Sequence, residues 1–309
     1  MSAEKFYYLS SDGKTEIHAV KWLPKHVVKA VLQISHGMLE HIERYDDFAS
    51  FMAERGVLVV GNDHLGHGSS VFDEGCRGYF GEDGNEYLIE DMKKLMNIIK
   101  DEYTVPYFIL GHSMGSFLVR QFITLYGGQL SGAVIVGTGQ QPKLLVCSGI
   151  AISRMIATFR GWNYRSAFVD YLAVGSNNNM FKPARTEFDW LTRDAEIVDA
   201  YISDKRIRFV FTLNAFYHMF RSILRMNEQE KINSIPKELP MIFLSGEKDP
   251  VGNSGKGVYK ASDIYRQAGI RNISVKLYKE DRHEILNELD REQIYTEISD
   301  WIESILIGK

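Results

Sequence analysis

The sequence predicts an α/β fold: a mostly parallel central sheet of about eight strands, flanked by helices and interrupted by an inserted helical cap. Three observations lead there. Short, wholly apolar runs such as Val57-Leu58-Val59-Val60 suit strands buried on both faces, as parallel sheets require. Those runs alternate with segments whose apolar residues recur at helical spacing. The alternation stops between residues 140 and 227 and then resumes, so one large core with an insertion fits better than two independent domains.

In chain order, residues 15–23 and 29–35 read as strands, being rich in β-formers. A helix over 44–55 presents Phe48, Phe51 and Met52 on one face, and Gly56 ends it before the apolar run at 57–60. A helix over 85–101, a strand over 107–110, a helix over 115–126 and a strand over 132–136 complete the first part of the core, residues 1–139. After the insertion, residues 228–309 supply a strand at 241–245, a helix near 258–268, a strand at 273–278 and a final helix over 291–307.

Composition narrows the function. Of 309 residues 45% are hydrophobic and 25% charged, ordinary globular usage that permits a core of normal size. A net charge of -4 offers no positive field for phosphate backbones, so nucleic acid is not an expected partner. Cys76 and Cys147 stand far apart in no metal-ligand spacing, which argues for reduced thiols rather than a disulfide or a zinc site. The first residues lack a basic stretch followed by an apolar one, and no segment approaches the ~18 apolar residues of a membrane helix. A cytoplasmic protein is expected.

The strongest local signal is Gly111-His112-Ser113-Met114-Gly115, set between an apolar strand and a helical segment. Glycines two residues to either side relieve the crowding of a sharp strand-to-helix turn, which raises the serine, and the helix start aims free amides at a reacting oxygen. A serine hydroxyl needs an imidazole as base, and the imidazole needs a carboxylate to hold its tautomer. Asp249, in Ser245-Gly246-Glu247-Lys248-Asp249-Pro250, follows the next-to-last strand; His283 follows the last. Both project from the carboxyl edge of the sheet, where open α/β folds bind ligands.

Glu247, Asp281 and Glu284 compete with Asp249 for the acid role, but solvated loop carboxylates are the commoner identity of such residues. The loop His36-Gly37-Met38-Leu39-Glu40-His41 follows an early strand and is expected to supply the amide of Met38 as an oxyanion donor beside that of Met114. His36 is expected to pack the loop and His41 to be solvated. Asp63-His64-Leu65-Gly66-His67-Gly68 crowds two histidines and a carboxylate, yet no further ligand cluster accompanies it, so no metal is expected. Gly252-Asn253-Ser254-Gly255-Lys256-Gly257 lacks the Gly-Lys-Ser or Gly-Lys-Thr ending of a phosphate loop. No cofactor is expected.

These motifs, together with His283, resemble those of the lysophospholipase and monoacylglycerol lipase branch of the α/β-hydrolases, and they span nearly the whole core in order. The stretch from Phe181 to Leu191, Phe-Lys-Pro-Ala-Arg-Thr-Glu-Phe-Asp-Trp-Leu, also resembles a segment of bacterial members. The resemblance implies an α/β-hydrolase fold with Ser113, Asp249 and His283 as catalytic triad. One departure is Met38, where animal monoglyceride lipases commonly carry a small residue; a backbone donor tolerates it, while the thioether narrows the acyl pocket.

Within the insertion, 140–227, two apolar stripes recur at helical spacing: Ile152, Met155, Ile156 and Phe159, and Phe209, Leu213, Phe216, Tyr217, Phe220 and Leu224. They are expected to pack the cap on the core and to cover an acyl channel, with Gly37, Leu39, Met155, Phe159 and Val251 as substrate-lining candidates. Exposed apolar faces there would permit transient contact with micelles or membranes. The expected activity is carboxylic-ester hydrolysis through an acyl-enzyme, on monoacylglycerol, lysophospholipid or simple acyl esters. The alternative is a serine peptidase of the same fold, in which Glu187, Asp189, Asp194 and Glu196 hold a substrate ammonium. A binding protein without catalysis fits poorly with a complete triad.

Overall fold

The structure, a computed structural model, describes residues 2–308. In chain order come β1 (Ser2–Leu9), β2 (Glu16–Leu23), β3 (Ala30–Ser35), α1 (Asp46–Glu54), β4 (Val57–Asn62), α2 (Gly84–Glu102), β5 (Tyr107–His112), α3 (Met114–Tyr126) and β6 (Gly132–Val136). Helices α4 (Lys143–Arg160), α5 (Ala167–Asp170), α6 (Ala195–Ser203), α7 (Leu213–Arg225) and α8 (Gln229–Asn233) follow. Then come β7 (Met241–Gly246), α9 (Lys256–Gln267), β8 (Ile273–Tyr278) and α10 (Arg291–Ile307).

The strands form one sheet in the order β1-β2-β4-β3-β5-β6-β7-β8. From β4 across to β8 every neighbouring pair is parallel; β2 runs antiparallel to both β1 and β4. The apolar runs explain the burial: β3 to β7 are buried at every position. Because side chains alternate across a strand, Leu58 and Val60 join one core with Leu95, Leu118 and Tyr265 of α2, α3 and α9. Val57 and Val59 join the other, with Phe48 of α1 and Ile298 of α10. A sheet covered on both faces is the α/β-hydrolase architecture the sequence predicts.

One strand escapes the sequence reading. In β1 the charged Glu4 and Lys5 obscure the alternation, and only Phe6 and Tyr8 pack on the core. Charge on an edge strand discourages pairing with other chains, so the edge position accounts for the composition.

The segment between β6 and β7 packs through α7, which buries Leu213, Ala215, Phe216, Met219 and Ile223. Thr212 caps this helix, its Oγ1 accepting from the Ala215 N–H at 3.2 Å. In α4 the face is not the predicted stripe. Val146, Ser153 and Ala157 are buried, Ile152 and Ile156 lie at the margin, and Met155 and Phe159 are exposed. Apolar residues surround most of α4, so their period does not single out the face, and the small Ser153 and Ala157 allow close approach. Among the described residues no helix is long and apolar enough to cross a membrane.

Candidate active site

Ser113 occupies the junction of β5 and α3 with φ 53° and ψ -119°. A non-glycine residue there costs about 1–3 kcal/mol and is held by its surroundings. The Ser113 N–H donates to the Val136 carbonyl at 3.0 Å, and the Ser113 carbonyl accepts from the Ser116 N–H at 2.9 Å and its hydroxyl at 2.6 Å. The flanking glycines are required sterically. A Cβ on Gly115 would lie 2.0 Å from the Ser35 carbonyl oxygen, and one on Gly111 would lie 2.4 Å from that of Gly115.

The structure brings Asp249 and His283 together. His283 Nδ1 and Asp249 Oδ1 are 2.9 Å apart, and both residues are buried. The other carboxylate oxygen of Asp249 accepts from the Ser245 hydroxyl at 3.0 Å, and Oδ1 accepts from the Val251 N–H at 2.8 Å. Burial opposes the charge of Asp249, but His283 and these donors outweigh it and hold the carboxyl below its ordinary value. Asp249 therefore stays ionised and requires the Nδ1–H tautomer of the imidazole.

The rival carboxylates are employed elsewhere. Glu247 is exposed. Asp281 and Glu284, expected in solvated loops, are both buried: Asp281 pairs with Arg193, and Glu284 receives a bidentate pair from Arg44 at 2.8 and 2.7 Å. His41, also expected in solvent, is buried with Nε2 2.9 Å from Asp204. Such residues are buried because each finds a charged partner to hydrogen-bond across the fold, Asp204 for His41 and an arginine for each carboxylate, which sequence spacing does not reveal.

His112 and Trp190 lie against the imidazole, with ring centroids 4.8 and 4.9 Å from that of His283. His112 Nδ1 is 2.7 Å from Glu40 Oε1, while Glu40 Oε2 accepts from the Tyr45 hydroxyl at 2.8 Å. Desolvation works against both charges; the pair wins, raising the His112 pKa and lowering that of Glu40. Sequence reasoning missed His112, Glu40 and Trp190 as site neighbours, although all three lie inside segments it singled out.

Gly37 abuts the serine: a Cβ built on it would stand 3.0 Å from Ser113 Cβ. Met38 follows it directly, and Leu39 takes a left-handed φ of 54°. Met114 opens α3, where the first amides have no partner within the helix; its side chain is buried in the core. Val251 packs with Phe117, Val146, Phe220 and Ile223. Met155 and Phe159 are not gathered into such a cluster; they face solvent.

The histidine-rich turn is a packed hub. Asp63 accepts from the Ile42 and Ser69 amides, each at 2.8 Å, and lies 3.0 Å from His18 Nδ1. His36 Nε2 accepts from the His64 N–H at 2.9 Å, and burial pushes His64 down to about 4 and His67 to about 3, which leaves neutral rings. A cleft of about 580 Å³ between β1, β2 and α6 is lined by His41, Arg44 and Tyr201 but by none of Ser113, Asp249 and His283, so volume alone does not locate the site.

Fold and site together define an enzyme of the α/β serine hydrolase class. The chain belongs to the Hydrolase_4 family (serine aminopeptidase, S33), which matches residues 26–290. It is 26% identical over 295 residues to a monoacylglycerol lipase of Mycolicibacterium smegmatis, covering 92% of each chain. To the monoglyceride lipase of Rattus norvegicus it is 26% identical, over 91% of this chain and 84% of that one. A thermostable carboxyl esterase from Bacillus coagulans, solved with glycerol, superposes with a TM-score of 0.92 at 28% identity, over 99% of both chains.

Proposed function

We propose that the chain is a carboxylic-ester hydrolase in which Ser113 attacks the acyl carbon, His283 takes the hydroxyl proton at Nε2, and Asp249 stabilises the resulting imidazolium. The observation that carries this reading is the buried 2.9 Å pair of His283 Nδ1 and Asp249 Oδ1, with the His283 ring against His112, the residue before a serine held at positive φ on a helix start. The amides of Met38 and Met114 receive the oxyanion. His283 then protonates the departing alcohol, and a water activated by the same imidazole releases the acid from Ser113.

Monoacylglycerol, lysophospholipid and simple acyl esters are the proposed substrates, in keeping with the ester-cleaving relatives. Residues 140–227 act as a cap on a core formed by 1–139 and 228–309, and Gly37, Leu39 and Val251 line the acyl side. Leu144, Leu145, Met155, Phe159 and Phe168, all more than half exposed, give the cap an apolar surface suited to transient contact with micelles. A cytoplasmic location agrees with the two free cysteines.

The peptidase alternative draws support from the family's description. Of its four candidate carboxylates, however, Asp189 accepts from the Arg185 and Thr186 amides, and Asp194 caps α6 and pairs with Arg291. A series of p-nitrophenyl esters of increasing acyl length, run beside an aminoacyl-nitroanilide, separates the readings. Ester turnover that peaks at one chain length is expected; nitroanilide cleavage alone would transfer the assignment to a peptidase.

A further inference from the structure

His283 sits in a loop whose other wall is the chain between β6 and β7. The His283 N–H faces the Trp190 carbonyl at 3.4 Å and the Glu284 N–H donates to the Leu191 carbonyl at 2.7 Å, so the two segments run together like a short ladder. Thr192 Oγ1 donates to the Asn287 carbonyl at 2.9 Å. Arg282 reaches back to the carbonyls of Asp189 and Thr192. The indole of Trp190 lies over the imidazole, inclined by 32°.

Arg193 ties this arrangement together. Its Nε donates to Glu288 Oε2 at 2.9 Å, its backbone N–H to Glu288 Oε1 at 3.1 Å, and its Nη2 to Asp281 and to Asp290 Oδ1, the latter at 3.0 Å. Glu288 Oε1 also accepts from the Arg282 N–H at 2.9 Å, directly before the histidine. Asp281, Glu288 and Asp290 lie close enough together to suggest a cation site, and the guanidinium of Arg193 is the cation that pairs with all three. Without it, two buried carboxylates would be left opposed beside His283.

We propose that Arg193 and Trp190 are positioning residues for His283: the segment between β6 and β7 supplies half of the histidine's mounting, through the three-carboxylate clamp on Arg193 and the face of Trp190. This rests on His283 being the base. Arg193 touches no reacting atom; it acts through the loop, so its loss moves the imidazole relative to Ser113 and Asp249 rather than altering substrate contacts. A fraction of an ångström at a base is enough to slow proton transfer strongly.

The test is steady-state hydrolysis of a p-nitrophenyl ester by the full chain and by Arg193→Met, Arg193→Lys, Trp190→Leu and Glu288→Gln, each checked for folding by thermal unfolding. Arg193→Met is expected to lose on the order of 10- to 100-fold in kcat with KM within about twofold, Trp190→Leu somewhat less, and Arg193→Lys to recover part of the loss by restoring the charge without the fork. The downfield proton resonance of His283 Nδ1–H should weaken in step with kcat. If Arg193→Met does not fold, Glu288→Gln carries the same expectation with its shape preserved. Folded variants with unchanged kcat, or a raised KM alone, would overturn the inference. His283→Ala is run alongside: if it remains active, the triad reading itself fails, whereas an inactive His283→Ala beside fully active Arg193 and Trp190 variants removes only the positioning role.

Discussion

Ser113 is held by its own strand-to-helix junction and the ends of two neighbouring strands, β3 and β6, where backbone meets backbone without a side-chain charge. His283 is held by side chains drawn from the length of the chain: Asp249 on its Nδ1, Trp190 and His112 against its ring, and Arg44 on the adjacent Glu284. The first mounting depends on steric room and the second on electrostatic pairing in a dry interior. Steric room is lost outright by one added carbon, whereas a network of charges responds to pH and to the loss of any one member.

The comparison sets an order of expected effects. Ser113→Ala should lower kcat by on the order of 10⁶-fold while leaving thermal unfolding close to that of the parent; residual turnover at a tenth of the parent would contradict the nucleophile assignment. Asp249→Asn should cost about 10⁴-fold, because the amide favours the wrong imidazole tautomer. Near-parental turnover in that variant would mean that another group orients His283.

Gly115→Ala probes the steric mounting. Its Cβ meets two carbonyl oxygens, Ser35 at 2.0 Å and His36 at 2.5 Å, and backbone cannot swing aside as a side chain can. A loss of about 3 kcal/mol or more is expected in denaturant unfolding. A variant as stable as the parent would show that the junction is not steric in origin.

Asp281→Asn probes the electrostatic mounting and should have the smallest effect. Burial and the charges of Glu288 and Asp290 raise the Asp281 carboxyl to about 7, against the pull of Arg193, from an ordinary value of 3.8. Between those two values the folded chain retains a proton that the unfolded chain has lost. The stability this contributes is fully present below the lower value and is lost as pH rises through the upper one. The parent's unfolding midpoint should therefore fall from pH 5 to pH 8 by more than that of Asp281→Asn; equal falls in the two proteins would rule Asp281 out as the cause.

Much of this was legible in the residues. The apolar strands, α10 and the Ser113 junction follow from contacts close in sequence, where steric rules act over a few residues. Asp249 and His283 could be placed because the ends of parallel strands share one edge of a sheet. The edge strand β1 and the buried face of α4 were not legible, since charge masked the alternation in one and apolar residues surround the other.

Burial of Glu284, Asp281 and His41 was equally hidden. A charged loop residue reads as solvated until a partner is known, and Arg44 lies 240 positions from Glu284. By itself the sequence determined the sheet apart from its edge strand, the turn that carries Ser113 and the chain order of Ser113, Asp249 and His283, because those depend on local sterics and strand register. Only the tertiary structure decided which charges are buried together and which inserted residues face His283, because pairing in a low-dielectric interior depends on distances that chain separation does not encode.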